Sequence, residues 1–325
     1  MIESRFGSAR PWSLGIEEEL FLVDAETLET VPAFSRVVGE PTERLKPEVF
    51  ECLVEIATPV VEDADGVLPE LRRLRGEVAE RAAAEGLAVL VAGTHALARG
   101  AGQPIVPIPR YERMAKELGE RIYRQLVCGL HVHVSIADPE TCLRAFEGVV
   151  PWLPVLLALS ANSPFADGED TGLATVRAVR LLEMPTGGTP PVLRSWDDWE
   201  AATRGDSTRR HWDAWPRPEY GTLEVRVMDQ QTDVRRAAGF AALVQALVRA
   251  VAREEHEPYD RELYAHRRAE ATRNPATPAE VDALGGLVGR SAILDAPAEA
   301  ERQREVAAAG GLGAVLRDVA DRSLA

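Results

Sequence analysis

In four runs of this chain apolar and polar residues alternate with a period of two, the spacing of a strand with one face on a core. The runs are SLGIEEELFLVD (residues 13–24), ECLVEIATPVV (51–61), CGLHVHVSI (128–136) and YGTLEVRVMD (220–229). A fifth, LAVLVAGTHAL (87–97), reads as a strand entering a loop rich in Gly and Pro. Helical spacing is predicted over GVLPELRRLRGEVAERAAAEG (66–86) and near ERMAKELGERIYRQL (112–126). A helix-rich region starts near Thr141 and leads to the loops NSPFADGEDTG and PTGGTPP, then to a polar, Trp-bearing stretch ending about Pro218. That stretch is the natural place for a substrate lid. From Arg235 to Ala325 the chain is rich in Ala, Arg and Glu at helical spacing, so its last third is expected to be mainly helical.

Strands alternate with helices at irregular intervals and no βαβ repeat is visible, which favours an α+β fold with helices packed on one face of an antiparallel sheet. There is no internal repeat and no low-complexity linker, so residues 1–325 are expected to form a single domain, helical from about 235.

The strand pattern also sorts side chains by face. Residues two apart point the same way, so Glu17 and Glu19 project together while Ile16, Leu20 and Leu22 face oppositely, with Glu18 the odd residue among them. Glu51 and Glu55 share a face against Cys52, Val54 and Ile56. His131, His133 and Ser135 align against Leu130, Val132, Val134 and Ile136. Glu224 and Arg226 align against Leu223, Val225 and Val227. On any one strand these would be ordinary solvent-facing residues. Taken over four strands, a polar face made of Glu and His with a single Arg is not the usual mixture of Thr, Lys, Ser and Gln. Clustered carboxylates repel one another unless cations neutralise them.

Composition sharpens this. At 46% hydrophobic and 27% charged residues, the chain has ordinary globular values. The net charge of -15 opposes nucleic acid and anionic membranes as partners. It does not oppose a nucleotide, provided divalent cations lie between carboxylates and phosphates. Cys52, Cys128 and Cys142 show no paired spacing, which suits a reducing compartment. The N-terminal run MIESRFGSARPW has no apolar signal core, and the most apolar segment, Val149 to Ala161, is short for a bilayer and contains Pro151 and Pro154. It reads as buried core, and the cytoplasm is the expected location.

Glutamate and imidazole around a phosphate site are what Mg²⁺ or Mn²⁺ requires, because hard cations prefer oxygen ligands and bridge to phosphate oxygens. Arg226 would then face the transferred phosphoryl group. The chain has no Walker A, no G-x-G-x-x-G and no kinase-type Gly-rich loop, so any phosphate cradle must rest on cations.

SLGIEEELFLVD, FECLVEIATPV, CGLHVHVSI, ALSANSPF and GTLEVRVMDQQTDV, in this order through about Asp233, resemble the motifs of the type 2 glutamate-cysteine ligase family, also called carboxylate-amine ligases. Their joint occurrence is specific where each alone is weak. The resemblance implies a glutamine synthetase/guanido kinase-like α+β fold with a curved antiparallel sheet whose concave face binds ATP, two or three Mg²⁺ and an amino acid. It further implies that Glu17, Glu19, Glu55, His131 and Glu224 are metal ligands and that Arg226 is the phosphate-contacting, catalytic arginine. Arg177, after NSPF, resembles an arginine that holds a substrate carboxylate. Near the C-terminus the chain departs from the family: an Asn-Arg-Trp run and an Ala-Arg-Tyr-Gly-like run are replaced by AHRRAEATRNPATP, with Arg267 and Arg268 preserving part.

The implied reaction is ATP-dependent amide formation through an acyl phosphate, with His133 and Arg177 orienting the substrate. The expected partners are ATP and small amino-acid and amine substrates, with room for a homo-oligomer. Two other readings stand beside it: a metal-dependent hydrolase using His131-x-His133, and a nucleotide-binding homologue without turnover. Cys128 reads as a packed thiol, His95 as a loop histidine, Glu51 as a supporting carboxylate, and Trp196, Trp199, Trp212 and Trp215 as packing residues.

Overall fold

The computed structural model describes residues 3–204 and 210–325. Its centre is a seven-stranded antiparallel sheet, formed by β1 (Leu14–Asp24), β2 (Leu45–Pro47), β3 (Leu53–Ala57), β4 (Leu87–Leu90), β5 (Gly129–Ser135), β6 (Ala214–Arg217) and β7 (Thr222–Asp229). The strand order is β6-β7-β5-β1-β3-β2, and β4 pairs with the far end of β1 beyond β5. The long central strand β1 is therefore flanked along its whole length. All of the sequence-predicted strands are present, whereas the three-residue β2 and the short β6 are too brief to show a period in the sequence.

The α+β expectation holds. Leu14 and Ile16 of β1, Leu130, Val132 and Val134 of β5, and Leu223, Val225 and Val227 of β7 are fully buried on one face. They share a core with α1 (Val67–Ala84), α3 (Pro139–Val149), α4 (Leu153–Ser160) and α6 (Val234–Val251). The polar face does not extend the length of β1. Beyond Glu19 the same side of the strand turns apolar at Phe21 and Val23, which pack with Leu53, Leu90 and with Tyr111 and Leu118 of α2 (Pro109–Leu118). Helix α2 thus walls one end of the face that carries the carboxylates.

The apolar segment expected to be core lies in the continuous helical run Pro139–Ser160. Its 22 residues are long and apolar enough to cross a membrane by length and composition alone, but 72% of its apolar window is buried inside the protein. From Val234 onward the chain is helical, including α7 (Arg261–Ala271) and α8 (Glu299–Arg322). Helix α8 is interrupted at Gly311, where φ is +73°. A straight helix would separate Glu299 from Arg322 by about 34 Å. Instead the two are ion-paired at 2.6 Å, so the halves fold back side by side.

The stretch named as a lid region is more firmly held than a lid. Asn162 and Ser163 are fully buried, and Asp229 Oδ2 accepts from the Asn162 backbone N–H and the Ser163 hydroxyl, while Oδ1 accepts from Thr175. Trp199, Trp212 and Trp215 are buried in the main core, in line with packing roles, and Trp196 stacks on Trp199. Residues 205–209 of the stretch lie outside the described residues.

Candidate active site

Register, rather than sequence proximity, assembles the polar face. Across β1, Glu17 lies opposite His131 of β5, and Glu19 lies opposite Glu55 of β3. Glu55 in turn faces Lys46 of β2. On the other side His133 faces Glu224 of β7, and Glu224 faces Trp215 of β6. Glu17, Glu19, Glu55 and Glu224 are therefore on one face.

Two sets of ligand atoms form there, each with all members within 4.8 Å of one another: Glu17, His133 and Glu224, and Glu19, Glu48 and Glu55. His131 lies between them, with Nδ1 3.5 Å from Glu17 and 4.0 Å from Glu224, and Nε2 4.0 Å from Glu19. The sequence reading assigned His131 to metal and His133 to substrate. The structure places His133 Nε2 among the ligand atoms and oriented by a Thr222 hydroxyl 3.0 Å from its Nδ1. The reason is the register: Glu17 pairs with His131 and Glu224 with His133, two residues apart on one face of β5, so both imidazoles meet the same carboxylates.

The electrostatics of the two sets differ. Glu224 is fully buried, which alone would raise its pKa, but Arg217 at 2.6 Å and Arg226 at 3.4 Å hold it well below the carboxylate range. Trp215 Nε1 donates to the same carboxylate at 2.9 Å. Glu17 is likewise kept ionised, burial being outweighed by the two histidines and by Lys46 at 3.3 Å. In the second set burial dominates: Glu19 and Glu48 are pushed up to about 7, and Glu55 to about 8, with neighbouring carboxylates adding to the shift. Lys46, 2.9 Å from Glu55, only partly offsets it. His131 is driven down to about 4 by burial and by the charge of Arg226, so it is neutral at physiological pH.

These features fit a divalent cation. Among the described residues Nε2 of His131 and Nε2 of His133 are buried without a hydrogen-bond partner, a neutral imidazole is a competent ligand, and three clustered carboxyls lack enough positive charge. Hard oxygen donors favour Mg²⁺ or Mn²⁺.

The clusters separate two spaces. One, of about 340 Å³, is bounded by Gly15, Glu17, Thr58, His133, Tyr220 and Thr222, with Arg5, Arg44 and Lys46 also on its wall. The other, about 70 Å³, lies between Glu19, Glu48, Arg110, Arg177, His211 and Arg226. Arg177 is 2% exposed and reaches it from α5 (Val176–Arg180). Its guanidinium donates to the carbonyls of Val227 and Arg226, and its Nε has no partner. Gly129 permits this approach, since a Cβ there would meet Arg177 Nη2 at 2.2 Å.

Sequence reasoning missed Lys46, Glu48, Trp215 and Arg217. Glu51 is corrected: it precedes β3 in a turn, where its backbone and carboxylate bind the start of the short helix Phe34–Val37. His95 is structural, its Nε2 2.7 Å from the Leu28 carbonyl and its Nδ1 accepting from the backbone of Leu97 and Ala98. Cys128 is a fully buried thiol. Among the remaining histidines, His256 bonds the Val251 carbonyl and His266 pairs with Glu270 on the exposed side of α7, so neither completes a hydrolase site.

Comparison with known proteins places these residues in context. The family model of Glutamate-cysteine ligase family 2 (GCS2) matches residues 13–321. A protein of Rubrobacter xylanophilus named "Putative glutamate--cysteine ligase 2-3" is 37% identical over 286 residues, covering 84% of this chain and 78% of the relative. One of Paracoccus denitrificans named "Putative glutamate--cysteine ligase 2" is 36% identical over 288 residues, covering 83% and 77%. The crystal structure of glutamate-cysteine ligase from Francisella tularensis in complex with AMP shares the fold, with a TM-score of 0.68 at 12% identity over 97% of this chain and 90% of that one.

Proposed function

This chain belongs to glutamate-cysteine ligase family 2, and from that premise we propose that it is an ATP- and Mg²⁺-dependent carboxylate-amine ligase acting on a glutamate-like acid. The observation that carries the reading is the pair of ligand clusters lying between two spaces on one sheet face. The ligase of the same fold from Francisella tularensis was solved in complex with AMP, and the larger space has the volume of a small-ligand pocket with cationic walls.

A carboxylate is a poor acyl donor, so amide formation begins with its activation. An oxygen of the acid attacks the γ-phosphorus of ATP, the bond to the ADP oxygen breaks, and an acyl phosphate forms. The amine nitrogen then attacks the acyl carbon, phosphate leaves with the C–O bonding pair, and the nitrogen loses a proton. Glu17, His133 and Glu224, and Glu19, Glu48 and Glu55, with His131 between the two sets, would hold Mg²⁺, which when bound would supply positive charge against the triphosphate.

The chain's own groups account for the rest. Arg226, held beside Glu224, lines the smaller space and stabilises charge on the transferring phosphoryl group. Arg177, with its unpaired Nε, and Arg110 line the smaller space and hold the carboxylate of the acid. His133, oriented by Thr222, would serve as a ligand beside Glu17 and Glu224 rather than touch the acid. We treat the chain as one ligase unit working in the cytoplasm on small molecules.

The test is Mg²⁺-dependent phosphate release from ATP with glutamate and a panel of amines that includes cysteine. Release that requires both acid and amine supports the ligase. Absence of Mg²⁺-dependent ATP binding rules it out.

A further inference from the structure

Helix α7, where the sequence departs from the family run, touches none of the clustered carboxylates, yet three of its contacts converge on the arginines of the site. Arg268 is 2% exposed, and its Nε and Nη2 both donate to Asp213, at 2.5 and 3.1 Å. Tyr264, one turn earlier, donates its hydroxyl to the same carboxylate at 2.6 Å. Asp213 is 1% exposed and is the residue just before β6. Its backbone carbonyl accepts from the Arg226 N–H at 2.9 Å. Arg226 sits at the irregularity of β7 between Val225 and Met228, where the ladder to β5 shifts register and leaves the backbone without its regular strand partner. The other side of that bulge is held by Arg177, which donates to the Arg226 carbonyl at 3.2 Å. Arg268 Nη2 also donates to the Ala178 carbonyl at 3.0 Å, in the helix that carries Arg177.

Building on the ligase reading, we propose that Arg268, with Tyr264, is a positioning residue that sets Arg226 and Arg177 in register with each other through Asp213 and Ala178. The Arg226 N–H and C=O are both fixed from outside the sheet, and each support passes through or beside Arg268. A bulge held this way presents its side chain at one angle. Released, it has several. The guanidinium fork is required because two bonds go to one carboxylate while a further N–H reaches a carbonyl on a different element.

The test measures binding of Mg²⁺ with ADP and with the non-hydrolysable analogue AMP-PNP to wild type, Arg226→Met, Arg268→Lys and Tyr264→Phe by calorimetry, below each variant's melting temperature. In the wild type a γ-phosphate contact of Arg226 is expected to add about tenfold in affinity. Arg226→Met removes that increment. Arg268→Lys and Tyr264→Phe are expected to lose most of it while the ADP affinity stays within about twofold, because the clusters and the larger space are intact. Variants that keep the whole increment overturn the inference alone. Variants that lose ADP and AMP-PNP affinity in equal proportion show a merely structural role and overturn it too. A wild type with no increment overturns the phosphate role of Arg226 itself, and this inference with it.

Discussion

Glu18, the one carboxylate of β1 on the core side, is closed by Arg75 in a two-pronged ion pair, with Nε to Oε2 at 2.8 Å and Nη2 to Oε1 at 2.6 Å. Both residues are 1% exposed or less. The remaining guanidinium protons go to the carbonyls of Gln231, Thr232 and Ser323, so one side chain joins α1, the central strand, the segment before α6 and the C-terminal end. Replacing Arg75 by Ala leaves a buried charge and three carbonyls without partners. Chemical denaturation should show a loss of about 3–5 kcal/mol. A loss below about 1 kcal/mol would mean that water or another cation takes its place.

The crowded set of Glu19, Glu48 and Glu55 should be where Mg²⁺ stabilises the protein most. Glu48→Gln and Glu55→Gln each remove a charged ligand while relieving repulsion. In chelator these variants are expected to melt at or above the wild-type temperature, by up to about 1 kcal/mol of added stability. In millimolar Mg²⁺ they should gain far less than the wild type does. Equal Mg²⁺ gains in variant and wild type would place the cation elsewhere.

The same carboxyls set a pH dependence whose sign follows from their raised pKa. At pH values near 4.5 all three are protonated in the folded protein and carry no penalty. From about pH 4.5 up to about 7 to 8 the unfolded chain gives up protons that the folded protein keeps, so the metal-free protein loses stability across that range and levels off above it. Bound Mg²⁺ favours the ionised form, so it should release protons on binding and hold the melting temperature level. The measurement is melting at pH 6 and pH 8.5 with chelator and with Mg²⁺. A Mg²⁺ effect as large at the lower pH as at the higher would contradict the assignment.

Arg226→Lys keeps the charge but not the fork beside Glu224. In the glutamate-dependent phosphate-release assay its kcat should fall by about 10²-fold, with the KM for ATP within a few-fold of wild type. An unchanged kcat would remove Arg226 from the chemistry.

Trp215 and Arg217 share Glu224 Oε2, and Arg217 is stacked over the Trp215 ring at 4.7 Å. Trp215→Phe should cost about 1 kcal/mol through the lost hydrogen bond. Arg217→Met, by removing the nearest charge, should raise the Glu224 pKa and weaken Mg²⁺ binding at pH 6 more than at pH 8.5. Titration calorimetry at the two pH values distinguishes the variants.

Strand alternation alone placed Glu17 and Glu19 on one side of β1 and Glu18 on the other, because a strand offers a side chain only two directions. It likewise separated His131 and His133 from Leu130 and Val132, and Glu224 from Leu223 and Val225. These choices are local and needed no partner. Which groups meet was decided by register: Glu17 against His131, Glu19 against Glu55 and His133 against Glu224 arise from pairings between residues 36 to 114 positions apart. Lys46 and Glu48 were missed because a three-residue strand carries too few positions to display a period. The partner of Glu18 and the hold of Arg268 on Asp213 were out of reach for a further reason. A buried charge is tolerable only when another element brings its counter-charge, and the element that does so is chosen by helix packing over the whole core. The sequence thus settled which residue types line the face, while tertiary structure decided which of them touch.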